Sequence, residues 1–360
     1  MSDDLERMIA TFRAQFEGRP DAAWNLVGLA EVVLAQKHPR RAGEIAREAL
    51  AIGRDDPAAR MRARRLLGSL LPGYHVPMMN DARRNAAWDA AIRRAVVPGM
   101  LVFDIGGGAG MLSLMAARAG ATVVACEMNA MAADLARDIA TANGLADRIA
   151  VVTGRSQDME IGRDLPRRAD LLICDIFGDE LLDFDPLAAI ADARRRLLVP
   201  DAPSVPMAAS LRAALAEWDD YPRSGAIDTA CGFDLGAFAD AVPAALSRPT
   251  DMPGLALRSE PVELFRFDLR ESYPASRRRV VPATVTGAGT ANTIARWIRL
   301  ELDGETTLEA YPGPGPFFSG LTLTPLARPV DPAHGDRVPI GAAYHGRSLS
   351  TWIESTAGPE

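Results

Sequence analysis

Val102-Phe103-Asp104-Ile105-Gly106-Gly107-Gly108-Ala109-Gly110 reads as a buried strand that reaches an acidic residue, turns on glycines and opens a helix at Met111. Glycines let the backbone approach a ligand closely, and a helix N-terminus offers free N–H groups to it. Outward from this turn the pattern alternates. Short β-rich runs at 100–105, 121–126, 149–153 and 170–175 are interleaved with or followed by helically spaced stretches at 111–119, 130–143 and 186–198. Strands alternating with helices predict an α/β fold with a doubly wound, Rossmann-like parallel sheet.

The flanks have a different character. Leu5, Met8, Ile9, Phe12 and Phe16 repeat at helical spacing until Gly18-Arg19-Pro20, and two further helical stretches follow at 22–35 and 42–52. Residues 1–72 therefore predict a helical appendage that loosely resembles a tetratricopeptide-type helix pair, too short for a solenoid of its own. Beyond Pro200 proline and glycine become frequent, and short strand-like runs appear at 262–269, 294–302, 306–310, 321–325 and 349–353. That spacing suggests an antiparallel sandwich or barrel. Three domains are expected: 1–72, a ligand-binding α/β unit at 73–200, and a β-barrel-like unit at 201–360.

Composition narrows the chemistry. The 360 residues carry 40 basic against 47 acidic side chains, a net charge of −7, and 48% are apolar. This is an ordinary soluble composition and argues against a general nucleic-acid binder. No apolar run reaches the length of a membrane span, and the acidic start Met1-Ser2-Asp3-Asp4 has no secretory core, so a cytoplasmic protein is expected. Lysine occurs once, as Lys37 in Gln36-Lys37-His38-Pro39. A phosphate-binding Gly-Lys-Ser/Thr loop and a Schiff-base lysine are both excluded on that ground. The four histidines show no zinc spacing, and Cys126, Cys174 and Cys231 form no metal pair, so no metal is expected.

Glu127 follows the second β-run directly, where a carboxylate can accept from both ribose hydroxyls of an adenosine ligand. A dinucleotide and S-adenosylmethionine both contain that group. Asp104 stands just before the first glycine. A carboxylate there repels a pyrophosphate and suits the ammonium end of S-adenosylmethionine. The charge pattern favours methyl transfer over hydride transfer.

At this point the chain resembles the protein arginine methyltransferases, over roughly residues 73–355. Tyr74-His75-x-x-Met78-Met79-x-Asp81-x-x-Arg84, followed by Trp88 and Ile92, is similar to the family's helix before the sheet. Residues 104–110 with Leu112-Ser113 and Ala116–Gly120 match its glycine loop and following helix. Cys231-Gly-Phe-Asp234 and Val262-Glu-Leu-Phe-Arg-Phe-Asp268 are similar to segments of its C-terminal barrel. The resemblance implies S-adenosyl-L-methionine as cofactor. It assigns the site to Met78, Arg84 (cofactor carboxylate), Asp104, Gly106, Gly108, Gly110, Glu127 (ribose), the adjacent Met128, and Asp158 (adenine amine). It also implies a homodimer through an arm near 218–240, with Trp218 and Tyr221 as exposed anchors.

The acceptor half departs from the family. Two glutamates nine positions apart hold the substrate guanidinium in the family, and here those positions read Asp175 and Phe184. Asp175 is the first candidate for catalysis, with Glu180 and Asp183 behind it; a one-residue shift of the loop would bring Asp183 or Asp185 inward. Phe184 would offer a cation its π face or pack beneath the next helix. The family's Thr-His-Trp loop is replaced within Pro316-Phe-Phe-Ser-Gly320, with Ser319 and Gly320 at the altered positions. Three functions stay open: a methyltransferase acting on nitrogen in a protein or peptide side chain, a small-molecule N- or O-methyltransferase, and a non-catalytic cofactor-binding adaptor. His75, beside the expected cofactor, suits a loop hydrogen bond or a base. The runs Arg194-Arg-Arg196 and Arg277-Arg-Arg279 are expected on solvated faces.

Overall fold

A computed structural model describes residues 3–221, 227, 229–239, 244–287, 289–313 and 319–354. Four helices come first: α1 (Asp3–Phe16), α2 (Ala22–Ala35), α3 (Pro39–Ile52) and α4 (Pro57–Ser69). They enclose their own apolar cluster of Ile9, Val27, Val33, Ile45 and Leu66, with Ala30, Ala42, Ala46 and Ala63 where helices approach closely. The arginine-rich α4 escapes the apolar-spacing rule, because only Ala59, Ala63 and Leu66 face inward. Its start is nonetheless well marked, by Pro57 in the first turn and by Asp56 accepting from Ala59 N at 2.9 Å.

Two helices lead into the sheet, α5 (His75–Asn80) and α6 (Ala82–Ala95), the second capped by Asp81, which accepts from Arg84 N. Then β1 (Leu101–Ile105), α7 (Met111–Arg118), β2 (Thr122–Glu127), α8 (Ala130–Ala142), β3 (Ile149–Thr153), β4 (Leu171–Cys174), α9 (Pro186–Arg196) and β5 (Ser204–Val205) alternate. All pairings are parallel, in the order β3-β2-β1-β4-β5. All five residues of the central β1 are buried, as expected of a parallel strand covered on both faces.

The rest is antiparallel. In chain order the strands are β6 (Ala208–Trp218), β7 (Thr229–Ala230), β8 (Phe233–Asp234), β9 (Leu246–Arg248), β10 (Leu255–Leu257), β11 (Val262–Asp268), β12 (Ser276–Thr284), β13 (Ala291–Glu301), β14 (Thr307–Glu309), β15 (Leu321–Val330), β16 (Arg337–His345) and β17 (Ser348–Ile353). One sheet runs β10-β6-β13-β15-β9 with β11 added on β6 and β14 on β13; β12-β16-β17 form a second, and β7-β8 a short ribbon. The β6 strand, Ala-Ala-Ser-Leu-Arg-Ala-Ala-Leu-Ala-Glu-Trp, has a helix former's composition and was not legible as a strand. It is held extended by β13 along one edge and by β11 and β10 along the other. Tertiary pairing overrides propensity here.

Several expectations are corrected. Trp218 and Tyr221 are not exposed anchors: both are buried, and the Tyr221 hydroxyl donates to Leu326 O. Arg194 does not lie on a solvated face but donates to carbonyls of Leu269 and Ala202 and to Ser204 Oγ, tying α9 to the antiparallel unit. The change of pattern at Val199-Pro200 separates two topologies but not two cores, since one apolar cluster runs from Trp88 to Leu349. Of the segments named above, 222–226, 228 and 240 of the arm and Pro316, Phe317 and Phe318 lie outside the described residues. No helix among the described residues is long and apolar enough to cross a membrane.

Candidate active site

The parallel strands end on one side of the sheet, and three of them deliver a carboxylate there: Asp104 from β1, Glu127 from β2, and Asp175 directly after β4. This is where open α/β sheets bind ligands. Gly106, Gly108 and Gly110 make the turn between β1 and α7 at φ +74°, +54° and +86°, which side chains other than glycine rarely adopt. Gly106 is doubly constrained, because a Cβ there would lie 2.2 Å from Ile176 Cγ2. Glu127 braces the loop from outside, its carboxylate accepting from Gly108 N at 2.9 Å and from Asn129 N at 2.6 Å.

Asp104 is buried. One carboxyl oxygen accepts from Ser113 Oγ at 2.6 Å, and the other, equally buried, has no hydrogen-bond partner among the described residues. Burial first, then the fields of Asp175 and Glu127, push this carboxyl up to about 7, against the opposing pull of Ser113 and Arg84. An unpartnered buried carboxylate oxygen beside a glycine loop fits a cationic ligand group, and the expected S-adenosylmethionine brings an ammonium and a sulfonium. The residues present therefore fit the cofactor.

Arg84 lies across the same cleft. Arg84 is only 2% exposed and forms a buried ion pair with Asp175. It also donates to Asn85 Oδ1 at 2.9 Å and lies over the Trp88 ring. His75 is buried with its ring against Gly108 and Tyr74, and its Nδ1 has no hydrogen-bond partner among the described residues. Burial lowers its pKa, with Glu127 opposing, which keeps the ring neutral near pH 7. Met78 sits in α5, Met128 is exposed at the end of β2, and Asp158 is exposed in the turn after β3.

The acidic loop after β4 folds against the antiparallel unit. Glu180 is gripped by both its oxygens: Arg296 of β13 donates to them at 2.7 and 2.8 Å. Asp179 accepts from Ser319 Oγ, Gly320 N and Ser247 Oγ. Asp183 turns back on its own loop, accepting from Glu180 N, while Asp185 is exposed and precedes α9. Burial raises the Glu180 and Asp183 carboxyls. Asp183 is half-buried within the loop and Asp185 is exposed. Phe184 neither packs beneath the helix nor is enclosed; it is 56% exposed. Arg296 was missed, although a single arginine within the apolar run Ile294-Ala-Arg-Trp-Ile298 is the signal that marks it. Cys126 and Cys174 are core residues with thiols pushed up by burial, that of Cys126 to about 12.

Five matches to known proteins bear on this site. Residues 90–195 match the Ribosomal protein L11 methyltransferase (PrmA) family. The chain is 32% identical to the Arginine N(omega)-methyltransferase of Streptomyces achromogenes subsp. streptozoticus over 79% of each chain. It is 30% identical to Protein arginine N-methyltransferase 7 of Drosophila grimshawi, matching over 65% of this chain but 37% of that longer protein. Among solved structures, the Trypanosoma brucei PRMT1 enzyme-prozyme heterotetrameric complex with AdoHcy matches with a TM-score of 0.68 at 22% identity, covering 80% of this chain and 96% of that one. Arabidopsis thaliana Protein Arginine Methyltransferase 10 matches with a TM-score of 0.64 at 19% identity, covering 80% and 98%.

Proposed function

The chain belongs to the protein arginine methyltransferase family and is an S-adenosylmethionine-dependent methyltransferase, and from that premise we propose that its acceptor is an arginine side chain of a protein or peptide. A non-catalytic adaptor is thereby set aside. The observation that carries the proposal is the cleft itself: Asp104, Glu127 and Asp175 converge on it with Arg84 paired to Asp175. Such a ring of carboxylates suits cationic ligands.

In this reading Gly106, Gly108 and Gly110 let the backbone close on the cofactor, Asp104 holds its ammonium, Glu127 its ribose, and Met78, Met128 and Asp158 flank the adenosine. When bound there, the cofactor supplies an electrophilic sulfonium methyl group. Arg84 takes its carboxylate and so shares its fork between that group and Asp175. Asp175 orients the acceptor guanidinium and disperses its charge, which is catalysis by positioning and electrostatics. Its carboxylate is set back by about 1.5 Å, one C–C bond, relative to a glutamate. Glu180 and Asp183 act at one remove, shaping the loop through Arg296. The protein works in the cytoplasm as a homodimer.

The chain's own Arg296, held bidentately by Glu180, supports a loop chemistry suited to guanidinium groups. One observation favours a second acceptor, free arginine: the Streptomyces relative is named for arginine and not for protein arginine. Deuteromethyl-labelled cofactor tests both. The full chain is incubated with Gly-Arg-rich peptides, cell protein and free L-arginine, and products are read by mass spectrometry. Label on arginine side chains supports the proposal, with turnover on generic peptides well below ~1 per second because a lone carboxylate cannot clamp both guanidinium edges. Label on free arginine alone replaces it with the second reading, and label on neither overturns both.

A further inference from the structure

The helical appendage carries a groove that the methyl-transfer cleft does not use. It lies between α3 and α4, has a volume of about 490 Å³, and is lined by Arg47, Leu50, Ala51, Arg54, Arg60 and Arg64. Elsewhere in this bundle most arginines meet a carboxylate, among them Arg13 with Glu48, Arg41 with Glu6 and Glu44, and Arg62 with Glu31. Inside the groove only Arg47 is, through Asp138 of α8. Arg54, Arg60 and Arg64 meet no carboxylate among the described residues. Asp56, on the turn between the helices, is committed to capping α4, and neither it nor Asp55 lines the groove. Uncompensated guanidinium groups side by side repel one another, and an anion between them removes that cost.

We propose that this groove binds an acidic peptide segment. Planar guanidinium forks match carboxylates bidentately, and the half-buried Leu50 beside the exposed Ala51 offers an interleaved aliphatic side chain an apolar contact. A nucleic acid suits the groove poorly. No aromatic ring lines it for base stacking. The groove is also fixed relative to the cleft. α3 packs on α8 at Gly43 and Met131, and Asn129, two residues beyond Glu127, donates to Leu70 O at 2.9 Å just past α4. An acidic segment seated there is thus held at a set distance from the methyl-transfer site. None of this depends on the identity of the acceptor.

Fluorescence anisotropy with the full chain provides the test. The probe is a fluorescein-labelled octapeptide of glutamate and leucine, compared with its glutamine–leucine counterpart, an oligothymidylate octamer and inorganic phosphate. The glutamate peptide is expected to bind about tenfold or more tightly than the glutamine peptide, with affinity falling as salt rises. Arg54→Glu with Arg64→Glu, two exposed positions, should weaken it at least as much while leaving the melting temperature unchanged. A lysine–leucine peptide should then bind the double variant better than it binds the wild type. Equal binding of the two neutral and acidic peptides, an unaffected double variant, or tighter binding of the oligonucleotide or of phosphate alone would overturn the proposal.

Discussion

Burial places Asp104 in an unusual position for an aspartate, with its carboxyl near 7 against an ordinary 3.8. The folded chain binds that proton more tightly than the unfolded chain does. The resulting stabilisation is complete below about pH 4 and is lost as pH rises through about 7. The unliganded wild type is therefore expected to lose on the order of 3 kcal/mol more stability than Asp104→Asn between pH 5 and 8, read from denaturant midpoints at each pH. A flat difference across that range removes Asp104 as the cause. For Glu127→Ala, loss of a charge-assisted acceptor of ~1.5–3 kcal/mol should weaken S-adenosylhomocysteine by tenfold or more in calorimetric titration. Unchanged affinity would remove Glu127 from the site. Arg84 behaves differently from an exposed lid residue. Removing it strands the buried Asp175 carboxylate, so Arg84→Ala should cost about 3–5 kcal/mol. Adding Asp175→Asn to it should restore much of the melting temperature without restoring cofactor affinity, and failure to restore either would deny that the pair is a unit.

Among the elements, the β1–α7 turn is governed by sterics as much as by binding. A methyl group on Gly106 meets Ile176 Cγ2 at 2.2 Å, on a backbone at φ +74°. Gly106→Ala should lower the melting temperature by an amount corresponding to about 2 kcal/mol. Adding Ile176→Ala relieves the collision but not the backbone strain, so the double variant should recover only in part. Complete recovery would mean that φ imposes nothing there. The loop after β4 has a comparable dual character: Glu180 and Asp179 bind it to β13 and to Ser319-Gly320, so its shape belongs to the antiparallel unit as much as to the sheet.

For the whole molecule the distribution of apolar clusters decides how it unfolds. The four-helix appendage has a core of its own, whereas one core serves both the parallel and antiparallel units. Two thermal transitions are expected, the first reported by Trp24 on the appendage and the second by the buried Trp88, Trp218 and Trp297. Trp24→Phe should erase the fluorescence change of the first transition and leave its heat absorption. A single transition by both probes would mean that the Gly43–Met131 and Asn129–Leu70 contacts couple the appendage fully to the sheet.

The amino-acid sequence by itself determined most of the parallel sheet, because three of its five strands end in a local punctuation that needs no partner to be read: Asp104 before glycines, Glu127 before Asn129, Asp175 after an apolar run; the two-residue β5 left no such mark. It likewise determined the cofactor, through the sign of the charge at Asp104. Only the tertiary structure decided that the alanine-rich stretch Ala208–Trp218 is a strand, since its edges are filled by residues some 40 to 90 positions away. It also decided that Trp218 and Tyr221 are core, that Asp175 belongs with Arg84, and that Glu180 belongs with Arg296. The physical reason is the same in each case: a pairing between distant segments leaves no periodicity in either one, and the burial that sets a side chain's partner and proton affinity is supplied by the rest of the fold.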